Sequence, residues 1–184
     1  MCTAMGQMSG VVVVLDPAKT NCKDACAALI PVLQPGVAEP GWEVKSESPD
    51  GRQILVDPES TEFFAMLTWT SKPGRLAWMK LTFDTNALYD DERSTLAMLQ
   101  SYLWTALTKL AAPFGYLTNY DYQLADDWIE NHVLDALSLR RYSELADSSY
   151  YLLLLSNAVR EASPPSPLWT VLKESPAGSL LLRT

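Results

Sequence analysis

The sequence predicts an α+β fold. An N-terminal, mainly antiparallel sheet in the order β-α-β-β-β-β is followed by a helical half, in a single compact domain. Three observations carry this expectation. The run Gly10-Val11-Val12-Val13-Val14-Leu15 is β-branched and apolar, and Asp16-Pro17 ends it. Between 42 and 83, short strand-like segments alternate with turn signals such as Ser48-Pro49-Asp50-Gly51 and Ser71-Lys72-Pro73-Gly74. Leucines at 96, 99, 103, 107 and 110 then recur at helical steps.

Residues 1–9 are expected to form a flexible tail before a domain spanning 10–184. The run 10–15 reads as a buried strand. Segment 21–33 reads as a helix, since Cys22, Cys26, Leu29, Ile30 and Leu33 share one side; Pro31 weakens its final turn. Proline and glycine make 34–41 a loop. A meander comes next, with strands at 42–46, 52–56, 62–70 and 75–83 and a hairpin loop at 71–74. Phe63, Ala65, Leu67 and Trp69 share one face of the third of these strands, while Phe64 and Met66 lie on the other. Two apolar faces argue for central, covered strands.

The leucine stripe is a helix, capped by Asp90 or Asp91 and stopped by Pro113 and Gly115. Residues 116–122 read as a loop. A second helix at 125–141 buries Trp128, Ile129, Val133, Ala136 and Leu137. Residues 150–156 fit either a strand, by the length of the leucine run, or a helix, by continuation into the helix-favouring residues 157–161. After the proline-rich connector 163–167, the segment 168–184 fits a terminal hairpin or a short helix plus strand.

The chain has 184 residues, enough for one domain with a sizeable core, and 48% of them are hydrophobic, which excludes a largely disordered chain. The formal net charge is −8. Phosphates need lysine and arginine to neutralise them, so this balance disfavours nucleic acid and an anionic membrane surface as partners. No run of apolar residues is long enough for a membrane span, and the N-terminus lacks the charged start and apolar core of a signal peptide. A cytoplasmic location with three reduced cysteines is expected.

Catalytic motifs are absent. His132 is the one histidine, and inside a helix it reads as a face residue bonded to a neighbour. No nucleophile elbow, phosphate-binding glycine loop or zinc-protease motif occurs. Cys22 and Cys26 project from one side of a helix, but Cys2 and His132 are the sole further zinc ligands of that kind, so buried small hydrophobes are the expectation. Asp126 and Glu130 share a helix face without further carboxylates converging on them, and Asp126 reads as a helix cap. No cofactor and no metal are expected, and the chain reads as a non-enzyme. Trp69, Trp78 and Trp104 are assigned to the core.

The stretch 116–130, YLTNYDYQLADDWIE, holds three tyrosines, a tryptophan, three aspartates and a glutamate, with no lysine or arginine. Rings supply contact area and carboxylates meet basic side chains, a combination suited to gripping a basic protein. The candidate partner-binding residues are Tyr120, Asp121, Tyr122, Asp126, Asp127 and Glu130. Asp90, Asp91 and Glu92 form a possible second patch.

In size, α+β layout, lack of catalytic motifs and this acidic-aromatic stretch, the chain resembles the small acidic immunity proteins that bacteria co-produce with secreted or contact-delivered toxins. The resemblance is one of class and rests on no family motif. It implies inhibition by occlusion of a cognate toxin. Many such toxins act on nucleic acid or nucleotides through basic clefts, where carboxylates would take the places of phosphates. An acidic secretion chaperone, which dimerises and binds an effector segment along apolar grooves, is the alternative. An enzyme using tyrosines and aspartates in a cleft is a third.

Overall fold

Val11, Val12, Val13, Val14 and Leu15 have no exposed surface. They belong to β1 (Met8–Leu15), and both faces of this strand are covered because it lies at the middle of the sheet. The computed structural model describes residues 8–33, 43–47, 52–56, 65–85, 92–145, 149–162 and 166–184. Among them, β2 (Glu43–Glu47), β3 (Arg52–Val56), β4 (Ala65–Thr70) and β5 (Ala77–Asp84) form an antiparallel meander that ends against one edge of β1. The other edge of β1 pairs with β6 (Phe114–Thr118), which pairs with β7 (Leu152–Ser156). A terminal hairpin, β8 (Trp169–Ser175) and β9 (Gly178–Arg183), completes the order β2-β3-β4-β5-β1-β6-β7-β9-β8.

One face of the sheet is covered by α1 (Cys22–Leu33) and α2 (Glu92–Leu110), with Leu29, Leu99, Leu103 and Leu107 packed on Val11, Val13, Met79 and Leu81. The opposite face is covered by the chain between β6 and β7. There a 3-10 turn (Asp121–Leu124) leads into α3, residues 126–138, whose middle portion Ile129–Leu134 is π-helical. Ile129, Val133, Leu134 and Ala136 pack with Val12, Val14, Trp78 and Leu153. A short α4 (Asn157–Ala162) adds Val159 to this second core.

The α+β class and the antiparallel sheet are as expected, and so are α1, α2, α3 and the strands of the meander, within one to three residues at the described ends. The second half differs, because four strands of the sheet lie in it. Residues 114–118, expected as helix stop and loop, are β6. Every residue of β6 is buried, so it carries no polar alternation to announce it. β7 is the first part of the ambiguous leucine run, and α4 continues directly from it. The C-terminal alternatives resolve to the hairpin, with a turn through Gly178 at φ +155°. β1 starts at Met8, inside the expected tail. The turns expected at 48–51 and 57–60 and the apolar pair Phe63 and Phe64 lie outside the described residues.

The stop of α2 is Ala111 rather than the proline itself. Ala111 takes φ +52°, and the Ala112 N–H returns to the Ala106 carbonyl at 3.1 Å. Pro113 then leads straight into β6, so α2 carries the chain from β5 across β1 to its far edge.

Gly10 is the point in β1 where a side chain has no room. An added Cβ would meet the Leu81 carbonyl oxygen at 2.7 Å and Leu124 Cδ2 at 2.9 Å. A backbone oxygen in the central ladder cannot yield as a flexible side chain can. Gly10→Ala is expected to cost about 2 kcal/mol by overpacking, read as a lower urea midpoint. An unchanged midpoint would mean that β5 and the turn at Leu124 shift freely.

Candidate functional site

The segment 120–132 crosses the sheet over the Gly10 gap, and two neighbouring strands hold it. On one side stands Lys80 of β5. It points to the second face of the sheet and is only 5% exposed. A buried ammonium needs several oxygen partners or an opposite charge. Lys80 Nζ finds both: it donates to the Leu124 carbonyl at 2.7 Å and to Asp126 Oδ1 at 2.6 Å. On the other side stands β6. The Tyr116 hydroxyl donates to the Gln123 carbonyl at 2.7 Å, and the Thr118 hydroxyl donates to the Gln123 side-chain oxygen. Gln123 is fully buried and passes the chain of bonds on to Ser149 Oγ at 2.6 Å. Thr118 Oγ1 also accepts the Tyr120 N–H at 3.1 Å, and Leu124 packs over Gly10 between the two anchors.

This frame sorts the sequence-predicted residues. Tyr120 and Tyr122 are 43% and 53% exposed. Their rings lie 5.9 Å apart, and Tyr122 meets Trp128 edge-on at 5.1 Å. Trp128 in turn stacks on the exposed His132 at 3.9 Å. The result is a continuous aromatic row along the turn and α3, exposed at Tyr120, Tyr122 and His132 and half-buried at Trp128, which packs on the second core. Asp121 is exposed and accepts the Met8 N–H at 3.3 Å. Asp127 is exposed too. Among the described residues, neither makes an ion pair.

Asp126 and Glu130 are placed differently. Asp126 is the counter-charge of Lys80, and Glu130 pairs with Lys72 Nζ at 2.5 Å. The expectation that Asp126 caps its helix is corrected: the N-cap is Ala125, which makes no side-chain capping bond. The demand of the buried ammonium outweighs the weaker benefit of a cap. Tyr116, grouped in the sequence with the surface tyrosines, is wholly buried in β6 and stacks on Tyr150 at 4.3 Å. Burial holds its phenol well above the ordinary tyrosine range, and Tyr150 adds to this. Asp90 and Asp91 lie outside the described residues. Glu92 opens α2.

Sequence reasoning missed the residues that position the site: Lys80, Thr118, Gln123 and Gly10. A lone lysine within the apolar pattern of β5 was the available signal. Cys22 and Cys26 contact each other through their sulfurs at 3.9 Å and are free thiols. No cluster of three or more metal-ligating side chains occurs among the described residues. Trp69 and Trp78 are in the core as expected, while Trp104 is half-buried with Lys173 5.9 Å from its ring. No helix of the described residues is long and apolar enough to cross a membrane.

No family model matches the chain, and no curated protein matches it in sequence. Among solved structures it is similar to a Pseudomonas aeruginosa T6SS protein, PA0821, at 14% identity and a TM-score of 0.50, with 95% of this chain and 68% of that one covered. At that identity the likeness is one of fold.

Two outcomes test the frame. Asp126→Ala leaves the Lys80 ammonium buried with one carbonyl, and is expected to cost about 3 kcal/mol in a urea titration; a loss below about 0.5 kcal/mol would show that the pair does not hold the segment. The buried phenol of Tyr116 sets a pH dependence. Its folded pKa lies above the unfolded one, so its contribution is whole below the unfolded value and is lost as pH rises through the folded value. Stability is expected to fall above pH about 10, and less steeply in Tyr116→Phe. An equal slope in both proteins would contradict the assignment.

Proposed function

We propose that this chain is an immunity-type protein that binds a cognate toxin and covers its basic active-site surface, acting by occlusion in the cytoplasm and not as an enzyme. The observation that carries the reading is the pairing of exposed Tyr120 and Tyr122 with the exposed carboxylates Asp121 and Asp127, on a segment held by buried bonds. A binding surface gains affinity when its rings and charges are already in place, because little freedom is lost on association. Tyrosine is the side chain best suited to such a centre, with large contact area and few rotatable bonds.

The neighbouring charges support the same division of labour. Asp126 and Glu130 have internal lysine partners, so they serve the frame first. Asp121 and Asp127 remain for lysines or arginines of a partner, with Asp90, Asp91 and Glu92 as a second patch. The fold likeness to a T6SS protein is compatible with an immunity or a chaperone role. The aromatic-acidic row favours the first, since a chaperone reading would put recognition in an apolar groove.

The partner to test is the product of an adjacent reading frame that ends in a basic toxin domain. Tyr120→Ala and Tyr122→Ala are each expected to raise Kd about 30-fold, near 2 kcal/mol, mainly through faster dissociation. Asp121→Lys is expected to slow association and flatten its dependence on salt. Circular dichroism and urea unfolding, run in parallel, separate binding from folding. Normal binding by all three folded variants would exclude this surface as the site.

A further inference from the structure

The first turn of α1 carries a feature that the partner-binding surface leaves unused. Asn21 Oδ1 accepts the Asp24 N–H at 2.9 Å, so Asn21 caps the helix and Cys22 is its first residue. One turn later comes Cys26, with the two sulfurs 3.9 Å apart. Both residues are half-buried at the edge of the first core. Four residues of α-helix separate two Cα atoms by about 6.2 Å from the rise and radius of the helix, within the span a disulfide bridges. Cβ atoms four residues apart on a helix lie about 5–6 Å from each other, wider than the roughly 4 Å of a disulfide. Closure must therefore draw Cys22 inward and loosen the first turn, where its N–H has no intrahelical bond to lose but its carbonyl does.

The surroundings make the two sulfurs unequal. Cys22 stands at the positive end of the α1 dipole, and the contact with Cys26 lowers its pKa. Cys26 is raised, by that same contact first and by burial second. On α2, the Tyr102 phenol is fully buried, its hydroxyl has no hydrogen-bond partner among the described residues, and its proton is held by burial first and by Cys26 second.

We propose that Cys22 and Cys26 form a redox-active dithiol that closes reversibly into a disulfide on exchange with a low-molecular-weight disulfide. In the first step the Cys22 thiolate attacks one sulfur of the external disulfide. A mixed disulfide forms, the external S–S bond breaks, and its second half leaves as a thiolate with the electron pair. In the second step Cys26 loses its proton to solvent and attacks Cys22 Sγ, which expels the remaining half as a thiolate. The protein dithiol is oxidised by two electrons, and one external disulfide is reduced to two thiols.

The test uses the full chain carrying Cys2→Ser, equilibrated with reduced and oxidised glutathione, then quenched by alkylation and weighed intact. As the oxidised share rises, both alkylation sites are expected to disappear together at monomer mass, with no glutathione retained, and dithiothreitol is expected to restore both. Adding Cys26→Ser is expected to trap glutathione on Cys22. Retention of glutathione by the protein with both thiols would overturn the proposal, and so would full alkylation of both residues in oxidised glutathione alone. Equal rates of glutathione capture by Cys22→Ser and Cys26→Ser would overturn Cys22 as the attacking thiol.

Discussion

A buried ammonium on a central strand organises the surface of this protein. Lys80 sits on β5 among apolar neighbours, where an unpaired positive charge costs several kcal/mol. Its partners come from the covering segment: the Leu124 carbonyl and the Asp126 carboxylate. The charge therefore fixes where the chain crosses, at which residue the 3-10 turn gives way to α3, and which carboxylate is spent inside. Replacement of the pair by apolar groups of like volume need not weaken the fold, but it would free the crossing segment from one register.

That register decides what the solvent sees. With Leu124 seated over Gly10 and Gln123 drawn down to Thr118, the residues between must arch outward. Tyr120, Asp121 and Tyr122 form the arch, and Trp128 and His132 continue the aromatic row along α3. The arch is short and bonded at both ends, so its rings have little freedom to lose. The π-helical portion beyond it widens α3 where Ile129, Val133 and Leu134 must all reach the sheet. The surface is thus the outer side of a packing solution, and its acidity is what remains after the interior has taken its share.

How much of this was legible in the sequence depended on periodicity. The leucine stripe of α2 and the valine run of β1 announced themselves, because one face or both faces of an element were uniformly apolar. β7 lay within a leucine run that fits strand or helix alike, and β6 was hidden because its buried residues Phe114-Gly115-Tyr116-Leu117-Thr118 show neither a period of two nor the β-branched run that marked β1. The site was half legible. Composition singled out Tyr120, Asp121, Tyr122 and Asp127, which the fold leaves exposed. It could not separate them from Tyr116, Asp126 and Glu130, whose roles are set by partners distant in the chain: Tyr150, Lys80 and Lys72. Pairing across strands is a tertiary fact, and a linear pattern does not contain it.

The central place of β1 has a bearing on synthesis. β1 leaves the ribosome well before either of its neighbours: Val12 faces Lys80 on one side, and Gly10 faces Thr118 on the other. Until those residues leave the exit tunnel, a strand of consecutive valines waits in the nascent chain with both edges open. Its pairing entails closure of long loops, which favours slow acquisition of the native sheet. Such a strand is also a template for strangers. A strand wholly covered in the finished sheet is therefore among the segments most open to wrong pairing during translation.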